Sequence, residues 1–366
     1  MTKVSSGGPT FSGTRSASAV TRRRASIGRE LGIFGALGLL VIAFAIASPY
    51  FATTGNLLLV LQQAAVNGII AIGMTVVIIG AGIDLSVGSV LALAGVFSAL
   101  CADQAGSLWT IPGAFLLPIL TGVFAGVLNG VIVSRGRVAP LIATLGTMTA
   151  FRGFVEWYRI NPVYNLQSWY TWIGQASVVG VPVPVFVFAA VGLAASLMLN
   201  RTIFGRHVYA VGGNEEAARA SGINVANVKL ATYVISGVCV GIAAVVSTAR
   251  IAAGESTAGT GFELQAIAAA VIGGASLFGG IGRISGTVAG AVIMAVLFNG
   301  LVLLNVPYAL QQMVIGGIII GAVWLDAMVK SREHSALSLL GARRRRRRAE
   351  LPPDNQGEER RVPGGA

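Results

Sequence analysis

The chain has 366 residues, of which 54% are hydrophobic and only 11% are charged. Soluble domains carry about 25% charged residues, so this composition excludes an ordinary soluble domain and a disordered chain. The two cysteines both lie in apolar runs, which excludes a disulfide framework and a cysteine-ligated metal cluster. With two histidines in all, a histidine-rich catalytic site is not expected either.

The excess of basic residues, 26 against 14 acidic ones for a net charge of +12, is concentrated at the two ends of the chain. Residues 1–30 and 331–366 are basic, Pro/Gly-containing tails expected to be disordered, and the second contains the run Arg343–Arg348. Basic tails beside apolar segments are typical of the cytoplasmic side of a membrane, where they contact anionic lipids. No aromatic residues alternate with the arginines, so nucleic-acid binding is not expected.

Apolar segments long enough to approach a membrane crossing fill residues 31–330, which we expect to form one transmembrane domain. We predict an all-α integral membrane protein with about ten spans, or nine if the short, glycine-broken eighth does not cross. The predicted spans are, in order, Leu31–Phe51, Leu57–Gly80, Leu85–Ala102, Trp109–Val133, Ala139–Tyr158, Val181–Leu199, Leu230–Ala249, Leu264–Phe278, Ile284–Leu304 and Ala309–Met328.

Basic residues also predict the orientation of these spans. With both termini in the cytoplasm and ten alternating spans, all but three of the 26 basic residues fall in cytoplasmic segments. Residues 45–47 resemble a signal-peptidase site, but about 30 residues precede the apolar stretch, so we expect the first helix to be retained.

Two of the predicted spans show glycine at every fourth position. Such a stripe lets another helix backbone approach closely, so we expect both sets to serve helix packing, with sliding during gating as a compatible further role. The glycines are Gly122, Gly126 and Gly130 in the fourth span, and Gly282, Gly286 and Gly290 at the ninth.

The sequence contains no constellation that predicts catalysis. None of its three lysines completes the Gly-Lys-[Ser/Thr] end of a phosphate-binding loop, and no His-Glu-x-x-His motif or carboxylate cluster occurs. We therefore expect no enzyme activity and no cofactor in this chain. If ATP and Mg²⁺ drive it, another chain supplies the ATPase.

Few polar side chains are available to line a path across the membrane. Asp84 precedes the third span, where it either caps free N–H groups or lines the path of a solute. Ser86 follows it closely, and Asn129 in the fourth span either bonds between helices or contacts a polar solute. Arg152 and Glu156 lie four residues apart and are expected to neutralise each other.

Residues 200–229, between the sixth and seventh spans, contain the signature of a very short helix. Asn214 is a good N-cap, Glu215 and Glu216 suit the first turn, Ala217, Ala218, Arg219 and Ala220 favour helix, and Ser221-Gly222 ends it. Two turns are not stable alone in water, so the helix needs a scaffold or a partner. It is either a capped connector or a docking element for a soluble subunit.

At this segment the sequence resembles the membrane permease subunits of bacterial ATP-binding-cassette importers for monosaccharides of the ribose, xylose and arabinose type. The likeness covers about residues 31–330. It rests on Asn67–Thr75 with Gly82–Ser89, on Pro140–Met148, and on Asn214–Ile223 with Ala270–Gly282.

The resemblance implies a division of labour among several proteins. Two permease copies, usually identical, form the path in the cytoplasmic membrane, an extracytoplasmic binding protein delivers the sugar, and a cytosolic ATPase docks on Asn214–Gly222. Matching motifs also place Asp84, Ser86, Asn129 and Thr144 as candidates for the translocation path.

Two other functions compete with this one. A self-contained ion-coupled transporter needs ionisable residues within the membrane but not the 200–223 segment. A membrane scaffold acting through its basic tails needs residues 342–366, which a transporter does not.

Overall fold

The computed structural model describes residues 32–103, 110–321, 323–324 and 328. The chain divides into two units, Met1–Ala322 and Val323–Ala366, and the second is described only at three helical positions. Both predicted basic tails therefore lie outside the described residues.

The described chain is almost entirely helical. In order, its elements are α1 (Gly32–Ala47), α2 (Thr54–Ile79), α3 (Val87–Asp103), α4 (Thr110–Ser134), α5 (Pro140–Tyr158), α6 (Ser168–Gln175), β1 (Ser177–Val178), β2 (Val181–Pro182), α7 (Val183–Arg201), α8 (Ile203–Gly213), α9 (Glu215–Ala220), α10 (Val225–Ile251), α11 (Phe262–Ile272), α12 (Ile284–Leu303) and α13 (Tyr308–Gly321).

Five of these helices, α2, α4, α7, α10 and α12, are long and apolar enough to cross a membrane. Four more, α1, α3, α11 and α13, are apolar but shorter. With α5, a helix of 19 residues, they coincide with the ten predicted apolar segments. The prediction of an all-α membrane protein is thus confirmed for the described part, apart from the small antiparallel hairpin of β1 and β2.

The eighth predicted span is shorter than expected. Its helix, α11, ends at Ile272 instead of Phe278, and the chain then runs without regular structure to α12. Gly274 has a left-handed φ of 88°, and an added Cβ at Gly273 would lie 2.5 Å from the Gly286 backbone. The helix ends because this backbone turns and packs directly on α12.

The core forms around α2 and α3, which the other helices enclose. The second half of α2 is buried without interruption from Ala64 to Ile79, except at the half-buried Asn67. Helix α3 is buried from Val87 to Val96. Because these stretches are buried on all sides, they are mostly apolar, apart from residues such as Thr75 and Ser89, and show no amphipathic stripe.

The first glycine stripe lies where α4 crosses α10. A Cβ on Gly122, Gly126 or Gly130 would come within 3.0 Å of the α10 backbone. The second stripe is one residue shorter than expected: Gly286 and Gly290 face α11, but Gly282 precedes α12 and abuts the Ile79 side chain.

We expect Gly126→Ala to lower the free energy of unfolding by about 1–3 kcal/mol, because its Cβ would lie 2.4 Å from the Tyr233 carbonyl oxygen. Gly146→Ala on α5 is the matched control. No atom lies within 4 Å of that Cβ, so the change should stabilise the helix by roughly 0.5–1 kcal/mol. Unfolding by SDS titration measures both. Equal effects from the two substitutions would contradict the close packing of α4 on α10.

Candidate functional site: a docking segment and a buried polar cluster

The predicted short helix is present in the structure as α9. The Asn214 side chain accepts a hydrogen bond from the Ala217 amide at 2.9 Å, and Gly222 ends the segment with a left-handed φ of 82°. The Ser221 hydroxyl also donates back to the Ala217 carbonyl at 2.8 Å. Local cap chemistry therefore determines both ends of this six-residue helix.

Two kinds of contact hold α9 on the rest of the chain. Ala218 is its one buried residue, and the Glu215 carboxylate accepts from Lys229 of α10 at 2.5 Å. Within α9 the same carboxylate also accepts from Arg219 at 3.0 Å. The Glu216 side chain is exposed and forms no hydrogen bond or ion pair within the described chain. The helix thus has an attached face and an outward face.

The segment before α9 is also helical, which the sequence did not predict. Thr202 caps α8 by accepting from the Gly205 amide at 3.1 Å. The Tyr209 hydroxyl donates to the Gly282 carbonyl at 2.8 Å, and Gly212 packs on the Ile79 carbonyl at the end of α2. Together α8 and α9 form a supported platform attached to α2, α10 and the 273–283 connection.

The Glu215 contacts make the stability of this platform pH-dependent. The hydrogen bond from Lys229, followed by its charge and by Arg219, lowers the pKa of Glu215 below its usual value of about 4.3. Because the folded pKa is depressed, the stabilisation is present above the unfolded pKa and is lost as pH falls through the folded one.

We therefore expect Glu215→Gln to lower the melting temperature by a constant amount from pH 7 down to about 4.5. Below that pH the difference from wild type should shrink as the folded carboxylate protonates. Thermal unfolding from pH 7 to pH 3 measures this difference in melting temperature between Glu215→Gln and wild type. Glu216→Gln is the matched control, and we expect it to lower the melting temperature less than Glu215→Gln, because the Glu216 side chain is exposed and forms no ion pair within the described chain. A Glu215→Gln difference that is independent of pH would contradict the ion pair.

The second candidate site is a buried polar cluster around Asp84, in the connection between α2 and α3. Asp84 Oδ1 accepts from the Ser86 amide at 3.1 Å and the Ser86 hydroxyl at 2.7 Å, and Oδ2 accepts from the Ser236 hydroxyl of α10 at 3.1 Å. The Asn129 amide of α4 donates to Ser86 Oγ at 2.8 Å. Asp84, Ser86 and Asn129 are each at most 3% exposed.

Thr144, the fourth predicted path residue, lies beside this cluster and is fully buried. Its hydroxyl donates to the Pro140 carbonyl at 2.9 Å and approaches the Ile83 carbonyl at 3.3 Å. The Tyr233 hydroxyl of α10 donates to the same Ile83 carbonyl at 3.1 Å. Thr147, which the sequence analysis missed, donates to Asn129 Oδ1 at 2.7 Å.

These bonds tie the α2–α3 connection to α4, α5 and α10. Non-helical backbone inside a membrane protein needs such internal partners because no water is available to satisfy it. All described hydrogen-bond donors to Asp84 are hydroxyl or amide groups, with no cation among them. In this conformation the cluster is closed, and its polar groups satisfy one another.

Arg152 and Glu156 lie on the same helix and interact through their charges, as their spacing predicted, but the hydrogen bonds of Arg152 go elsewhere. Its guanidinium donates to the backbone carbonyls of Ser256 and Ala258, in the connection before α11. Arg152 therefore fixes this connection against α5. Within the described ranges, no group of three or more His, Cys, Asp or Glu side chains is placed to hold a metal ion.

Comparison with known proteins gives the family. A family model described as "Branched-chain amino acid transport system / permease component" matches residues 56–323. The ribose import permease protein RbsC of Escherichia coli (strain K12) is 43% identical over 297 residues, which cover 80% of this chain and 91% of that protein. The ribose import permease protein RbsC of Bacillus subtilis (strain 168) is 43% identical over 301 residues, which cover 81% of this chain and 92% of that protein.

Relatives named for other sugars match over a similar length. The D-allose transport system permease protein AlsC of E. coli (strain K12) is 42% identical over 302 residues, covering 82% of this chain and 92% of that protein. No solved structure matches the chain. The chain therefore belongs to the permease family of ATP-binding-cassette importers and is a multi-pass protein of the cytoplasmic membrane.

Proposed function

We propose that this chain forms the translocation path of a monosaccharide importer, driven by a separate ATPase subunit and supplied by an extracytoplasmic sugar-binding protein. The observation that carries the sugar assignment is the 43% identity, over nine-tenths of their length, to permeases named for ribose. Relatives named for D-allose and xylose, at 42% and 36% identity, widen the cargo class to pentoses and hexoses.

The family description names branched-chain amino acids, which provides a rival cargo to test against. Cells that produce the chain with its ATPase and binding protein should take up labelled ribose, allose or xylose, and deletion of the chain should abolish that uptake. Labelled leucine is the matched comparison. Uptake of leucine but of none of the three sugars would refute the sugar assignment.

The α8–α9 platform is our proposed dock for the ATPase. Its outward face, with Glu216 and the flanking small residues Ala217 and Ala220, is exposed, while Ala218 and Glu215 attach it to α10. A protruding helix backed by a rigid element is suited to fit a cleft on a partner and to transmit its movement. ATP and Mg²⁺ then belong to the partner, and this chain needs no cofactor.

One helix joins the proposed dock to the buried cluster. Helix α10 begins beside α9, where Lys229 donates to Glu215, and about one to two turns beyond Lys229 it presents Tyr233 and Ser236 to the Asp84 segment. A displacement of α9 would therefore reach the α2–α3 connection through a single rigid element. We propose that the cluster of Asp84, Ser86, Asn129 and Thr144 rearranges when the path opens.

The same proposal includes the orientation of the chain in the membrane and the pairing of two copies. Ten spans would place both termini and the α8–α9 platform on the cytoplasmic side, where the basic tails at 1–30 and 331–366 meet anionic lipids. Two identical copies would share one path. Cysteine accessibility at the two ends of each span tests the orientation, and cross-linking between copies tests the dimer.

A further inference from the structure

The connection between α10 and α11, residues 252–261, runs alongside α3 without forming a helix. Near one end of α3, an added Cβ at Gly254 would lie 2.5 Å from the Ala99 Cβ. Near the other end, an added Cβ at Gly259 would lie 2.6 Å from the Gly88 carbonyl oxygen. At 1.5 Å per residue these two contacts are roughly 16 Å apart along α3. The connection therefore reaches deep into the transmembrane domain, where non-helical backbone is either buried in protein or lines a water-filled cavity.

Two charged side chains meet at this connection. Arg152 of α5 donates to the Ser256 and Ala258 carbonyls through a single nitrogen, Nη1, and its Nε and Nη2 have no acceptor among the described residues. Glu263, in the first turn of α11, has its carboxylate beside Gly88, where an added Cβ would lie 2.5 Å from Oε2. The two charges attract each other, but no salt bridge joins them within the described ranges. Both side chains therefore keep hydrogen-bonding capacity for a third group.

The depth and exposure of these side chains indicate that they face water and not lipid. Arg152 lies roughly 9 Å before the end of α5, counted at 1.5 Å per residue. Both Arg152 and Glu263 are half-buried, so each keeps accessible surface at this depth. Charged side chains inside a bilayer are costly against hydrocarbon and almost always face the protein interior or a water-filled cavity. In the proposed pair of copies, that cavity is their shared path.

The Asp84 cluster offers no such capacity in this conformation. Asp84, Ser86 and Asn129 bond to one another and are each at most 3% exposed, so a solute reaches them only after a rearrangement. Arg152 and Glu263 are accessible without one. They are therefore better placed than the Asp84 cluster to contact the solute while that cluster is closed.

The chemistry of this pair matches a polyol. A sugar presents neighbouring hydroxyl groups, each of which can donate and accept a hydrogen bond. A carboxylate accepts from two hydroxyls, and a planar guanidinium donates to two in a fixed fork. An uncharged sugar can therefore bridge Glu263 and Arg152 and use the free acceptors of one with the free donors of the other.

We propose that Glu263 and Arg152 bind the hydroxyl groups of the sugar in transit, with Arg152 positioned by the Ser256 and Ala258 carbonyls. Through these two hydrogen bonds, the 252–261 connection holds the guanidinium in place relative to the carboxylate. This contact rests on the proposed function, since the solute is taken to be a monosaccharide. It gives the place and the chemistry of the contact between chain and cargo.

Binding of ribose, allose and xylose to the purified full chain, without the binding protein, tests this contact by saturation-transfer NMR. Glu263→Gln and Arg152→Gln should each weaken sugar binding roughly tenfold or more, since each removes a charge-assisted hydrogen bond. Asp103→Asn at the exposed end of α3 and Arg159→Gln at the exposed end of α5 are the matched controls. Both controls should bind the sugar like wild type.

Monodeoxy analogues of the bound sugar separate direct contact from a fold defect. Wild type should bind at least one analogue more weakly than the parent sugar, because a charged side chain loses its hydroxyl partner. That penalty should disappear in the variant that lacks the same charged side chain. Unchanged binding in both variants, a uniform loss for all sugars, equal losses in the controls, or no sugar binding by wild type would overturn the contact. Binding of leucine but of none of the three sugars would instead refute the proposed function itself.

Discussion

Replacing Glu216 with lysine should release the ATPase subunit from this permease while leaving the permease folded. Glu216 lies on the outward face of α9 and bonds to nothing in the described chain, so reversing its charge disturbs only a partner. A like charge placed in an interface costs several kcal/mol, and we expect affinity to fall roughly 30-fold or more. Co-purification measures this loss of affinity. The ATPase is identified by the phosphate-binding loop in the sequence of the co-purified protein.

The control is Arg201→Glu, a charge reversal of the same size at the exposed end of α7, outside the α8–α9 platform. It should retain the ATPase. Glu215→Gln should have an intermediate effect, because it loosens α9 from Lys229 without altering the outward face. Full retention of the ATPase by Glu216→Lys would show that α9 is a connector and not a dock.

Asp84→Ala should be the most destabilising single substitution we predict. It leaves the Ser86 amide, the Ser236 hydroxyl and the Asn129 amide without their carboxylate acceptor, in a site where Asp84 is 3% exposed. Each unsatisfied buried donor costs about 1–3 kcal/mol, so we expect a loss of roughly 3 kcal/mol or more. Unfolding by SDS titration and the yield of monodisperse protein measure it.

Asp84→Asn separates shape from charge. Its carbonyl oxygen can still accept from Ser86, and its amide can donate to the rotatable Ser236 hydroxyl, so most of the stability should remain. Asp103→Ala, at the exposed end of α3, is the control and should change stability by no more than about 0.5 kcal/mol. If Asp84→Ala unfolds like wild type and loses only uptake, Asp84 serves the path and not the fold.

The features predicted correctly from sequence are those that local chemistry determines. The cap at Asn214, the acidic first turn and the glycine stop at Gly222 specify α9 within nine residues, and the structure shows the same helix. Apolar runs gave the positions of the ten helices in the same way. The approximate boundaries of these helices could be predicted because each apolar run ends at glycine, proline or polar residues.

Features that depend on distant parts of the chain were not predicted. Three of the eleven residues of α8 are glycines, and most of the others are β-branched or aromatic residues with modest helix propensity. The helix is supported instead by the packing of Gly212 on Ile79 and by the hydrogen bond from Tyr209 to Gly282. Likewise, no local signal connects Asp84 to Ser236, which lies 152 residues away. The packing of α10 directly against α2 brings their elements together: a Cβ added at Gly73 of α2 would lie 2.9 Å from the Ser236 Cα.

The most direct test of the account is labelled-ribose uptake into cells that contain the full importer, with the proton gradient collapsed and ATP maintained. Uptake should persist under these conditions, stop when ATP is depleted, and be lost in Glu216→Lys but retained in Arg201→Glu. Uptake that stops with the proton gradient while ATP remains high would contradict it. The chain would then have to couple transport to ions through its own residues.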